Sequence, residues 1–175
     1  ERKRSEEVLR LVAESGYEST QDIFQFLVRQ LATSQGKRSA LLARIDQGDE
    51  STAHTLAVWQ DRGFAENFSY SLDGTPCENV VSQGICFYGH DVCGLFPRDH
   101  LLSLMGAESY WGTPLRDTAG RTIGVFAVID DHPMEETPQT LSLITTFAAR
   151  AAGELERRRT ERKYKTLFRE MLDGF

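Results

Sequence analysis

Cys86, His90 and Cys93 fall in one short stretch, and Cys77 stands upstream of them. Thiolates and an imidazole are the donor set that zinc accepts. The spacings are three and two intervening residues, however, with no paired C-x2-C knuckle. The competing reading is small buried thiols, which suit a core. Cys77, Cys86 and Cys93 are odd in number, which argues against a closed disulfide framework and for reduced thiols. His90 can in principle ligate haem, yet a lone histidine in a loop is more often a surface residue. No G-x-S-x-G elbow, P-loop or H-E-x-x-H occurs. Histidine-kinase and GGDEF-type signatures are absent too. The expectation is no catalytic centre, no metal and no resident cofactor. What remains in this stretch is aromatic: Phe68, Tyr70, Phe87, Tyr88, Phe96 and Tyr110. They either line a pocket, with phenol hydroxyls as polar handles, or fill the space beneath a lid.

The elements that must position these groups follow from periodicity. The chain has 175 residues, 40% hydrophobic and 26% charged, which suits one globular domain with connecting segments. The net charge of −6, with no basic stripe, gives no footprint for nucleic acid. No apolar run is long enough to span a membrane, and residues 1–15 lack the apolar core of a signal peptide. With no initiator Met before Glu1, the chain reads as a segment of a longer cytoplasmic protein.

Residues 1–15 read as a charged helix, and a second helix starts at Ser19 or Thr20 and ends at Gly36. Residues 39–45 and 53–60 read as a hairpin, and 64–72 as a third, edge strand. Pro76 opens a short helix to about Gln83. Residues 86–96 read as loop with a short strand, and Pro97 opens a short helix through Leu104. Residues 108–115 and 122–130 form the strongest hairpin. Thr137-Pro138 begins a long helix to about Tyr164. The fold class is therefore α+β: one antiparallel sheet, terminal helices on one face, loops and short helices over the other.

This order resembles a GAF domain across about residues 20–158. Leu72 through Glu78 (LDGTPCE) resembles the turn into the pocket helix of one bacterial GAF subgroup. Gly106 through Leu115 (GAESYWGTPL) and Gly120 through Asp130 (GRTIGVFAVID) resemble two successive strands of that subgroup. Tyr164 through Phe175 (YKTLFREMLDGF) is similar to the opening helix of a PAS domain. The resemblance implies a helical connector over 1–18, a GAF domain over 19–158, and a helical linker entering a PAS-like domain over 159–175. GAF domains are regulatory. They bind cyclic nucleotides, tetrapyrroles or amino acids, or serve as ligandless dimerising relays ahead of kinase, cyclase, phosphodiesterase or transcriptional outputs, two-component systems among them.

By analogy with the family, a small and largely uncharged ligand would meet Phe68, Tyr70, Cys77, Val80, Tyr88, Phe96, Tyr110, Ala127 and Ile129. Tyr110, Gly112, Ala127 and Ile129 are expected on the pocket side, and Trp111, Phe126 and Val128 toward the helices. Arg98 is the one nearby group to hold a phosphate. Covalent bilin attachment at Cys77 or Cys93 lacks the surrounding phytochrome-type motifs. Free methionine sulfoxide reductases share the fold, but their catalytic Cys is missing from Met105-Gly106-Ala107-Glu108, and Phe126, Ala127 and Ile129 stand where their carboxylates belong. Assembly is expected as a homodimer through the terminal helices, with a seam at Leu141, Ile144, Ala148, Ala151 and Leu155.

Overall fold

The computed structural model describes residues 6–7 and 20–174. The charged helix expected over 1–15 lies outside these, except that Glu6 and Glu7 are helical. Helix α1 (Thr20–Ser34) carries Ile23, Phe24, Leu27, Val28 and Leu31, all buried. Its apolar residues recur at three- and four-residue spacing, so they share one face. Gly36 follows with φ +63°, a left-handed conformation that glycine adopts without strain.

The sheet contains β1 (Ser39–Ile45), β2 (Thr52–Gln60), β3 (Gly63–Ala65), β4 (Ser69–Ser71), β5 (Cys86–Tyr88), β6 (Ser109–Arg116) and β7 (Thr122–Asp130). Its order is β3-β2-β1-β7-β6-β5, with β4 also pairing β2. Every pairing is antiparallel. The edge strand expected over 64–72 is split. β3 and β4 pair different ends of β2, and between them Thr55 takes up the chain: its amide donates to Phe68 O and its hydroxyl to Asn67 Oδ1. Alternation of apolar residues shows extended chain but cannot show this break in the ladder.

Two apolar layers flank the sheet. On one side α1 and the long helix α5 (Pro138–Asp173) pack on Ala40, Leu42, Ala57, Trp111, Phe126 and Val128. On the other lie α2 (Pro76–Gln83), α3 (Val92–Leu95) and α4 (His100–Met105). The stretch 86–96 thus contains a helical turn, and α4 starts later than Pro97 suggests. Asp99 is its N-cap, accepting from the Leu102 amide at 3.3 Å.

Helix α5 begins as its sequence dictates. Thr137 caps it, Pro138 takes the first turn, and Thr140 returns the capping interaction to the Thr137 amide. It does not stop near Tyr164. It runs 36 residues, about 54 Å at 1.5 Å per residue. No glycine or proline interrupts residues 154–173, so nothing local ends it. Leu143, Ile144, Phe147, Ala148, Ala151, Ala152 and Leu155 are buried against the sheet and α1. The expected dimer seam is therefore mostly spent inside the domain. A 3.5-residue and a 3.6-residue period are indistinguishable over this length, and the sheet claimed the stripe.

Candidate functional site

β6 and β7 form the floor beneath the lid. Tyr110, Val125, Ala127 and Ile129 turn toward the lid, while Trp111, Phe126 and Val128 turn toward the helices. This is the side assignment expected from the family resemblance, with alternation sorting the two faces. At Gly112 an added Cβ would stand 2.7 Å from Val80 Cγ2 and 2.6 Å from Tyr110 Oη. Glycine there lets α2 settle onto the strand and the Tyr110 ring lie across it.

Helix α2 brings Cys77 and Val80 onto this floor, both buried. Cys77 Sγ lies 3.0 Å from Tyr110 Oη, and Tyr70 Oη donates to the same sulfur at 3.5 Å. Tyr88 Oη accepts from Asn79 Nδ2 at 2.9 Å, and its ring meets Phe96 edge-on at 5.0 Å. Tyr70, Cys77, Val80, Tyr88, Phe96, Tyr110, Ala127 and Ile129 thus meet in one cluster. Phe68 does not join it. It stands half-exposed beside β4, its ring 5.8 Å from Tyr70. Phe87 faces the other layer, edge-on to Trp111.

The space between floor and lid is filled by side chains. Tyr110 is 1% exposed and Val80 and Ala127 are fully buried. Burial pushes the Cys77 thiol up, although hydrogen bonds with Tyr110 and Tyr70 pull the other way. Burial also raises the phenols of Tyr70 and Tyr110 well above their ordinary value. A protonated, enclosed thiol is a poor nucleophile. Cys86 Sγ donates to Gly84 O at 3.4 Å and Cys93 Sγ to Ala107 O at 3.0 Å, while His90 is exposed. Among the described residues the one close group of metal-ligand types is Asp130, Asp131 and His132. Those groups are already engaged: Asp130 accepts from the Arg38 amide, and Asp131 pairs with Arg38 and His132. Arg98, considered as a phosphate holder, is ion-paired with Asp73 at 3.4 Å and stays mostly exposed.

Sequence reading missed one concavity. A groove of about 1050 Å3 opens where α5 passes the end of the sheet. Gln47 of the β1–β2 turn, Asp117 and Arg121 of the β6–β7 turn, and Arg159, Arg162 and Lys163 of α5 are among its walls. These residues come from three distant segments, and no local spacing links them.

Comparison with known proteins fits this architecture. The GAF-domain family profile matches residues 19–155, and the chain belongs to that family. GAF domains are sensory and regulatory modules. The structure resembles the GAF domain of a phosphoenolpyruvate-protein phosphotransferase from Coxiella burnetii, with TM-score 0.75 and 12% identity over 90% of this chain and 96% of that one. The corresponding Acinetobacter domain gives TM-score 0.72 and 14% identity over 91% and 97%. A phycocyanobilin-bound GAF domain from a cyanobacterial phytochrome gives 0.67 and 13% over 90% and 96%. At such identities the likeness is one of fold. No curated protein matches the sequence significantly.

Proposed function

We propose that this GAF domain is a regulatory relay in a cytoplasmic signalling protein, passing a conformational state along α5 to a neighbouring unit. The carrying observation is that α5 has two apolar stripes on opposite faces. The first, centred on Ile144, Ala148, Ala151 and Leu155, is part of this domain's core. The second is Tyr164, Leu167, Phe168, Met171 and Leu172, each 46–69% exposed. At 100° per residue the two stand roughly 180° apart. The helix is thus bolted to the sheet by one face and presents the other beyond it. Contiguous exposed apolar surface marks an interaction site. A second copy of this chain, meeting it in parallel at residues 164–172, buries that stripe, and the PAS-like resemblance of residues 164–175 supports a further domain downstream as the receiver.

The filled interior beneath the lid favours the ligandless, dimerising form of this role over a sensor with a standing pocket. In the sensor reading, a small uncharged molecule would displace the Tyr70–Cys77–Tyr110 cluster, where two hydroxyls and a thiol converge under the lid. The raised Cys77 thiol weighs against a thiol-based redox enzyme. Sedimentation velocity over a range of concentrations tests the relay reading. The native protein is expected to self-associate, and Phe168→Glu with Met171→Glu to be monomeric with an unchanged melting temperature. A monomeric native protein, or a dimer indifferent to both substitutions, overturns it.

A further inference from the structure

We propose that the groove between the two hairpin turns and α5 is a binding site for a small phosphate-bearing anion, held by Arg159, Arg162 and Lys163. The walls carry charges of both signs, but the two signs are not equally available. Asp46 is consumed by His54 Nε2 at 2.9 Å and by the amides of Gly48 and Asp49 at 3.0 and 2.9 Å. Asp117 accepts from the amides of Ala119 and Arg121 at 3.0 and 2.9 Å and from Arg121 Nε at 3.3 Å. Glu156 accepts from the amide and hydroxyl of Thr118 at 3.2 and 2.7 Å. Asp46, Asp117 and Glu156 are thus tied to the turns, while Glu50 and Glu170 face solvent.

Three of the cations are not tied in this way, although Arg121 is engaged by Asp117. Arg159 is half-buried, and its partner is neutral: the Gln47 side-chain oxygen accepts from its Nη2 and Nε at 2.7 and 2.6 Å, in the amide orientation that satisfies both groups. The side chains of Arg162 and Lys163 make no hydrogen bond or ion pair with any described residue. Burial holds the Arg159 guanidinium below its ordinary value; Asp117 opposes this, while the like charges of Arg121 and Arg44 add to it. Guanidinia that make no direct ion pair, as at Arg159 and Arg162, can take an anion, and their planar forks fit phosphate oxygens in pairs. The volume is that of a small-molecule site. An anion seated there would bridge the hairpin turns to α5 just beyond its last buried turn, on the face away from the Phe168 stripe.

The claim is independent of the relay reading, since binding heat does not require self-association. Titration calorimetry with inorganic pyrophosphate is the test, with citrate as a carboxylate control and the Phe168→Glu protein run in parallel. Saturable binding of pyrophosphate is expected, stronger than of citrate, weakened by added salt, and unchanged by Phe168→Glu. Arg159→Gln with Arg162→Gln is expected to weaken it at least tenfold. Lys163→Gln, at an exposed side chain outside the core, is expected to weaken it several-fold. Absence of binding to the native protein overturns the proposal, as does equal binding to citrate or affinity unaltered in Lys163→Gln.

Discussion

Gly124 shows how little room the centre of the sheet leaves a single residue. An added Cβ would stand 2.5 Å from the Ala43 carbonyl oxygen and 3.2 Å from Leu155 Cδ2. The first is backbone in the adjoining strand and cannot rotate away. Gly124→Ala is expected to lower stability by about 1–3 kcal/mol, read by urea denaturation. Cys77 makes a second residue-scale prediction. Its thiol is enclosed and raised, whereas Cys93 is only half-buried. Ellman's reagent should modify Cys93 readily and Cys77 only after denaturant is added; equal rates in the native protein contradict the closed lid. Glu154 makes a third. Burial alone would raise its carboxyl, but Arg157 and Arg158, at 2.7 and 3.4 Å, outweigh that and hold it below its ordinary value. A depressed carboxyl contributes stability above its unfolded pKa of about 4.3, and that contribution is lost as pH falls through the lower folded value. Glu154→Gln should therefore cost about 1–3 kcal/mol at neutral pH. The gap to the native protein should close in more acid solution, as melts across a pH series will show.

Among the elements, α5 does the most varied work. Its first five turns are core and its last four are surface, a division that the interrupted stripe records: beyond Leu155 the sheet-facing positions become Arg158, Arg162 and Lys165. Arg158 marks the crossover, its guanidinium 4.2 Å from the centroid of the Phe24 ring. Leu155 is 3% exposed, so a charge there has no counterpart to meet. Leu155→Glu is expected to destabilise the fold by about 3–5 kcal/mol, seen as a large drop in melting temperature. A folded Leu155→Glu protein with weakened self-association would instead put the interface on the first stripe. The β1–β2 pairing carries another device. A bulge between Leu42 and Ala43, opposite Leu56, shifts the register and changes which β2 residues face the helices.

For the molecule as a whole, no buried cation lies beneath the lid among the described residues, and Arg98 is occupied by Asp73 on the exterior. Calorimetric titration with cyclic AMP and cyclic GMP should accordingly show no submicromolar binding; such binding to either would mean that the lid repacks around a different set of residues. Among the described residues no helix is long and apolar enough to cross a membrane. Both the second stripe and the groove sit beyond the sheet, at the end where α5 leaves it. A change in the direction of α5 would therefore be felt at both.

Local chemistry in the sequence determined α1, the two main hairpins, the lid helix at Pro76 and the start of α5, because caps, glycines and apolar periods act over a few residues. Strand alternation separated the two faces of β6 and β7, and the GAF resemblance said which one meets the lid. Tertiary structure alone decided three further things. The sheet, and not a second helix, took the stripe at 144–155, since both partners bury the same face. Phe68 fell outside the lid cluster because the chain between β3 and β4 leaves the ladder at Thr55. The groove formed from two turns and a helix far apart in the chain, where only the folded path brings Gln47, Arg121 and Arg159 together.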